Sequence, residues 1–143
     1  MTTYDTIIIG AGFSGMYQLY RLRELGFTVH GFEAGAEVGG TWYWNRYPGA
    51  RFDSESYSYG YSWSKELLQE WEWSEHFAAQ PETLRYCQHV ADRFDLRRDF
   101  TFNCRITAAQ WMESTSTWQV TAENGATASA RRANPSAVDG SPA

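Results

Sequence analysis

The reading of this chain turns on Ile7-Ile8-Ile9-Gly10-Ala11-Gly12-Phe13-Ser14-Gly15, followed by a helical pattern over residues 16–25 and an apolar run over 27–32 that ends in Glu33. Three β-branched residues in a row suit a strand buried on both faces. The next six residues spell G-x-G-x-x-G, and Gly26 breaks the helical pattern. Strand, glycine turn, helix, strand and acid, in that order, form the dinucleotide fingerprint in the context it requires. They predict an α/β, Rossmann-like domain.

Each residue type has a physical task. Gly10 permits the tight turn, bare Gly12 lets a diphosphate approach the backbone, and Gly15 lets the helix pack close to the sheet. The helix start offers N–H groups and a partial positive charge to phosphates. Glu33 follows roughly 20 residues after the turn, where a carboxylate accepts hydrogen bonds from ribose hydroxyls. The motif alone leaves FAD and NAD both open.

Composition narrows the rest. At 143 residues the chain fits one domain at most. A net charge of −5 and the lack of a basic stripe argue against nucleic acid. No apolar run reaches membrane-spanning length, and the N-terminus lacks the regions of a signal peptide. Cys87 and Cys104 have no C-x-x-C or histidine cluster around them, so they read as buried reduced thiols of a cytoplasmic protein with no metal site.

After Glu33 the chain passes through Val38-Gly39-Gly40 into Thr41-Trp42-Tyr43-Trp44-Asn45-Arg46-Tyr47-Pro48-Gly49-Ala50-Arg51-Phe52-Asp53. This stretch has neither helical nor strand period and is too aromatic to be a solvated loop. It is expected to line a flat ligand or another domain; an aromatic core loop is the plainer reading. Residues 54–61 suit an extended segment. Ser64 is expected to cap a helix over 65–71, and Ser74 another over 75–79. Pro81 and Glu82 open a longer helix whose one face carries Leu84, Cys87, Ala91 and Phe94. Residues 100–106 read as a strand. Residues 109–112 and 118–122 read as a hairpin, and Asn124-Gly125 as a turn into a strand over 126–131. From Arg132 the pattern dissolves into a small, polar, proline-bearing tail expected to be disordered. His30, His76 and His89 read as structural or surface residues.

The Gly39–Asp53 stretch resembles the type I Baeyer–Villiger monooxygenases, and the likeness runs from about Tyr4 to Arg131. The run Trp42-Tyr43-Trp44-Asn45-Arg46-Tyr47-Pro48-Gly49-Ala50-Arg51 is far more specific than the glycine motif. The resemblance implies a domain over 1–131 that binds FAD, built as a parallel sheet with a β-meander, and a non-family tail over 132–143. It also implies NADPH as hydride source, and a ketone converted to an ester or lactone by oxygen activated on the reduced flavin. By position, Gly10, Gly12, Phe13, Ser14 and Gly15 are expected at the diphosphate and Glu33 at the adenosine ribose. Gly40, Thr41, Trp42 and Asp53 are expected near the flavin ring, with Tyr59 touching it and the backbone of Ile106 at the adenine. Arg51, Phe52 and Asp53 are expected on the NADP side. Asp53 is the catalytic candidate, an acid that orients an arginine beside the flavin.

Members of that family are several times longer. Their second glycine motif, linker fingerprint and catalytic arginine have no match here, and the likeness stops at Arg131. The sheet is therefore expected to be incomplete, because a polar tail with prolines does not make a central strand. The chain reads as an FAD-binding portion, inactive on ketones alone, from a truncated or frameshifted frame. The alternative is a complete small protein that docks a partner chain supplying the rest. Two other readings stand beside these: a non-catalytic flavin module or inert remnant, and part of an N-hydroxylating flavin monooxygenase.

Overall fold

The computed structural model describes residues 2–51, 60–75 and 77–138. Strand β1 (Thr2–Ile9) leads into helix α1 (Phe13–Glu24) and strand β2 (Val29–Phe32). Among the described residues three helices follow: a single turn α2 (Thr41–Trp44), α3 (Lys65–Glu70) and α4 (Gln80–Arg93). The chain then returns to the sheet as β3 (Phe100–Thr101), β4 (Ile106–Met112), β5 (Thr117–Ala122) and β6 (Thr127–Ala133).

The six strands lie in the order β3-β2-β1-β6-β5-β4. β1 pairs parallel with β2 on one side and with β6 on the other, and β3 extends the parallel part beyond β2. β4, β5 and β6 form an antiparallel meander. This is the parallel sheet with a β-meander expected from sequence.

Alternation along β1 decides the layering. Ile8 faces a core shared with Met16 and Leu19 of α1 and Tyr86, Cys87, Val90 and Ala91 of α4. Its neighbour Ile7 faces the other way, into a smaller cluster with Ile106, Val120, Ala128 and Ala130 from the meander. Both isoleucines are almost fully buried, as a strand covered on two faces demands. Burial of Cys87 pushes its thiol up to about 12, so it packs as an inert apolar group. The aromatic residues between Tyr61 and Trp73 belong to this core as well: Trp63 stacks on Tyr20, and Trp71 and Trp73 flank Tyr86.

Local chemistry explains most element ends. Gly26, at φ +92°, ends α1, whose last turn carries Arg21 and Arg23 where cations favour the helix dipole. Ser64 Oγ accepts from the Leu67 N–H and caps α3 as predicted. Pro81 and Glu82 occupy the first turn of α4.

Three expectations are corrected. The helix expected over 75–79 is not formed by the described residues there; the N–H and the hydroxyl of Ser74 both donate to the Glu82 carboxylate, at 3.0 and 2.9 Å, which fastens it to α4 instead. The strand expected over 100–106 is two pieces, because Asn103 takes a left-handed φ of 53°. The N–H groups of Asn103 and Cys104 then reach the carbonyls of Gly35 and Glu33 rather than a neighbouring strand. The supposed tail does not begin at Arg132: Arg132 pairs with Thr6 and Ala133 with Ile7 inside central strand β6. Backbone pairing asks little of the side chain there; β6 ends at Ala133, and Pro135, which has no N–H to offer, opens a 3-10 turn, Pro135–Ala137. His76, residues 52–59 and residues 139–143 lie outside the described residues, so the extended segment expected at 54–61 is described only at its end.

Candidate functional site at the glycine turn

The sequence between β1 and α1 builds one wall of a cleft. Gly10 has φ +107°, a conformation side chains rarely adopt. Gly15 is needed for a different reason: a Cβ there would lie 2.0 Å from the Gly10 carbonyl oxygen. The helix can start only if residue 15 has no side chain. Gly12 is the N-cap, and the first-turn amides of Ser14 and Gly15 have no carbonyl to bond inside the helix. They point to where an anion is favoured by hydrogen bonds and helix dipole together. Ser14 Oγ accepts from Gln18 Nε2, which leaves its own O–H to donate into the cleft.

Glu33 ties the floor together. Only 4% exposed, it accepts from the Ala11 N–H at 2.8 Å through one oxygen and from the Gly35 N–H at 2.6 Å through the other. The Gly39 N–H donates to the Ala11 carbonyl, so the second glycine pair lies directly on the first motif. Contact there is backbone to backbone: a Cβ on Gly40, whose φ is +54°, would come 2.9 Å from the Gly12 Cα. The close approach thus depends on a bare Gly40, whereas a bare Gly12 leaves room for a phosphate.

The resulting cleft is about 390 Å³. Gly10, Gly12, Phe13, Ser14, Gly15, Glu33, Gly40, Thr41, Trp42 and Ile106, all singled out by sequence, line it. Trp42 is largely buried, packed with Ala78 and held by Gln80, whose Nε2 donates to the Trp42 carbonyl. Arg51 does not line it. Its guanidinium donates to the Glu75 carboxylate and to the Phe77 carbonyl, both at 2.7 Å. Phe52, Asp53 and Tyr59 fall outside the described residues.

On the opposite wall sequence reasoning named only Ile106. Arg105 stands beside Ile106, and Asn134, Ala137 and Val138 complete that side. Arg105 is the only cation among the described lining residues, and its adjacency to Ile106 was a usable signal. Nothing local marks Asn134, which reaches the cleft only because β6 pairs with β1. Among the described residues no group of three or more His, Cys, Asp or Glu is placed to hold a metal. None of their helices is long and apolar enough to cross a membrane.

Comparison with known proteins agrees with this geometry. The family described as "NAD(P)-binding Rossmann-like domain" matches residues 8–71. The chain is 53% identical over 120 residues to 2-oxo-Delta(3)-4,5,5-trimethylcyclopentenylacetyl-CoA monooxygenase of Pseudomonas putida, covering 84% of this chain and 22% of that one. It is 46% identical over 129 residues to a Baeyer–Villiger monooxygenase of Pseudooceanicola batsensis, covering 90% and 24%. The crystal structure of OTEMO in complex with FAD and NADP superposes with a TM-score of 0.87 at 50% identity, over 91% of this chain and 25% of that one. The chain therefore spans about a quarter of the length of the relatives it matches. By sequence, by fold and by the construction of its cleft, it belongs to the Baeyer–Villiger monooxygenases and corresponds to their N-terminal quarter.

Proposed function

We propose that the cleft binds FAD, and that the chain contributes the flavin-binding part of a monooxygenase using NADPH and O₂ to insert oxygen beside a ketone carbonyl. The observation that carries this is the meeting of the two glycine loops at the α1 N-terminus, with Glu33 pinned beneath them. A diphosphate fits there: it needs close backbone, first-turn amides and an adjacent hydroxyl, and Gly12, the Ser14 and Gly15 amides and the Ser14 hydroxyl supply them. Glu33 keeps lone pairs for a ribose hydroxyl while its carboxylate fixes the loops. Arg105 adds positive charge on the Ile106 side. Trp42 and Thr41 extend the cleft toward the far end of a long dinucleotide.

Bound flavin supplies the redox and oxygen-activating chemistry in such enzymes. The share of this chain is to hold and orient it and to shield it from water. Asp53 keeps its proposed role as the acid that orients a neighbouring cation. The resemblance places NADPH and the ketone mainly against other parts of such enzymes, on the same or a separate polypeptide. Two free, buried cysteines, Cys87 and Cys104, support a reducing, cytoplasmic setting.

A second reading has one observation in its favour: the matching family is described as binding NAD(P). Titrating the purified chain of residues 1–143 with FAD and, separately, with NADPH distinguishes the two. Saturable quenching of flavin fluorescence, without NADPH consumption on adding a ketone, is the expected result. Saturation by NADPH with no response to FAD would overturn the FAD assignment. Ketone turnover by this chain alone would show that residues 1–143 hold the whole active site.

A further inference from the structure

The geometry points to Asn134 as a positioning residue for the dinucleotide cleft, one that sets the Gly10 turn from the far side of β1. Through Ala133 the β1–β6 ladder is built from backbone alone. One step further, at Ile9, the partner is a side chain. The Ile9 N–H donates to Asn134 Oδ1 at 2.8 Å, and Asn134 Nδ2 donates to the Ile9 carbonyl at 3.1 Å. A primary carboxamide presents an N–H donor beside a carbonyl acceptor, so it continues the ladder where the backbone no longer does. Pro135 can then turn away without stranding Ile9.

Two consequences meet at the cleft. Ile9 directly precedes Gly10, so fixing both polar groups of Ile9 fixes the take-off of the phosphate turn. Gly10 itself is held from the other side, its N–H donating to the Phe32 carbonyl at 2.8 Å. The 3-10 turn after Asn134 also brings Ala137 and Val138 to line the cleft near Ile106, and Val138 packs on the cluster around Ile7. One side chain thus registers the turn and anchors the facing wall. This proposal rests on the FAD reading only for the choice of ligand.

The test uses the 143-residue chain with two variants and a control. Asn134→Leu keeps the bulk and removes both hydrogen bonds; Asn134→Asp keeps the acceptor and loses the donor. Thr3→Val removes the Thr3–Ser129 hydroxyl contact (3.0 Å) at the other end of the same strand pair. In the unliganded protein, amide exchange at Ile9 is expected to rise about tenfold in Asn134→Leu and less in Asn134→Asp, with Ile7 unchanged and the Gly10 and Ala11 resonances shifted. FAD affinity is expected to fall about tenfold in Asn134→Leu and by less in Asn134→Asp, while Thr3→Val leaves it unchanged. Continued protection of Ile9 in Asn134→Leu overturns the proposal, as does unaltered FAD affinity once Ile9 is freed; Asn134→Asp, which still accepts the Ile9 N–H, should keep most of that protection. If Asn134→Leu fails to fold, Asn134→Ala, which removes both hydrogen bonds without apolar bulk, decides by the same exchange and affinity readouts. A wild type that takes up no FAD ends the FAD reading; exchange at Ile9 and the Gly10 resonance then decide on Asn134 by themselves.

Discussion

The two walls of the cleft are built on different terms. The wall of β1, α1 and β2 comes from one run of neighbouring residues, in which Gly10 takes a positive φ and Gly15 lies against the Gly10 carbonyl oxygen. The facing wall of Arg105, Ile106 and Asn134–Val138 is assembled from segments about 100 residues further along the chain. It exists only because β6 lies beside β1 and the 103–106 bend is fastened to the Glu33 loop. The first wall should therefore fail all at once under small substitutions, and the second should fail by degrees.

The sharpest break is Gly15→Ala. One methyl placed 2.0 Å from the Gly10 oxygen cannot be absorbed by a rotamer change, because backbone is what it strikes. We expect a loss of about 3 kcal/mol or more in a denaturant melt, with no flavin uptake. Gly12→Ala is its counterpart: a Cβ there meets the Gly40 Cα at 3.5 Å, an ordinary contact. That variant should melt near wild type and yet lose the dinucleotide. If Gly15→Ala melts like wild type, the steric account of the first wall is wrong.

Next in size is Glu33→Ala, which strands the Ala11 and Gly35 amides in a buried place. A cost of about 2 kcal/mol is expected, and Glu33→Gln should lose roughly half of that, because its carboxamide accepts through one oxygen only. The same pair of variants tests which link Glu33 serves. Stability falling while FAD affinity holds would make it a loop clamp with no part in the ligand.

These contrasts explain what was legible in the sequence. The β1-α1-β2 unit could be read because its rules are local: β-branched run, glycine spacing, helical period, acid at the second strand's end. The α3 cap at Ser64 and the meander's turns could be read for the same reason. The supposed helix after Ser74 could not, since Glu82, eight residues on, takes both of its donors. Nor could the break at Asn103, where the competing acceptors are the Gly35 and Glu33 carbonyls. The partners of Arg51 were not legible either: its guanidinium donates to the Glu75 carboxylate and the Phe77 carbonyl, more than 20 residues on. The heavy aromatic content near residues 61–73 proved to be core, which a composition count cannot separate from a ligand platform.

Arg105 probes the second wall by charge. Its side chain is exposed, so Arg105→Ala should leave the melting temperature nearly unchanged. FAD affinity should drop by about threefold at low salt, and the difference should shrink as ionic strength rises through the range where exposed charges are screened. An equal loss at all salt concentrations would instead mean that Arg105 acts by contact and shape.

The smallest effect expected lies behind the first wall, at His30 of β2. Its ring stacks on Tyr4 at 5.2 Å, and Nε2 lies 2.7 Å from Thr101 Oγ1. Burial lowers its pKa from the ordinary value of 6.5, and the carboxylate of Asp99 opposes that only in part. The folded chain thus favours the neutral ring. Once the pH falls below about 6.5, the unfolded chain takes up a proton that the fold resists, so this part of the stability is present above that pH and is lost below it. His30→Phe keeps a ring against Tyr4 and removes the titration, so its stability should decline less than that of wild type between about pH 7.5 and 5. The difference should be under about 1 kcal/mol, since the ring is only half-buried. Urea melts across that range would measure it. Because His30 does not line the cleft, FAD affinity should not follow the same pH curve. If it does, β2 transmits to Glu33 and the two walls are less independent than their construction implies.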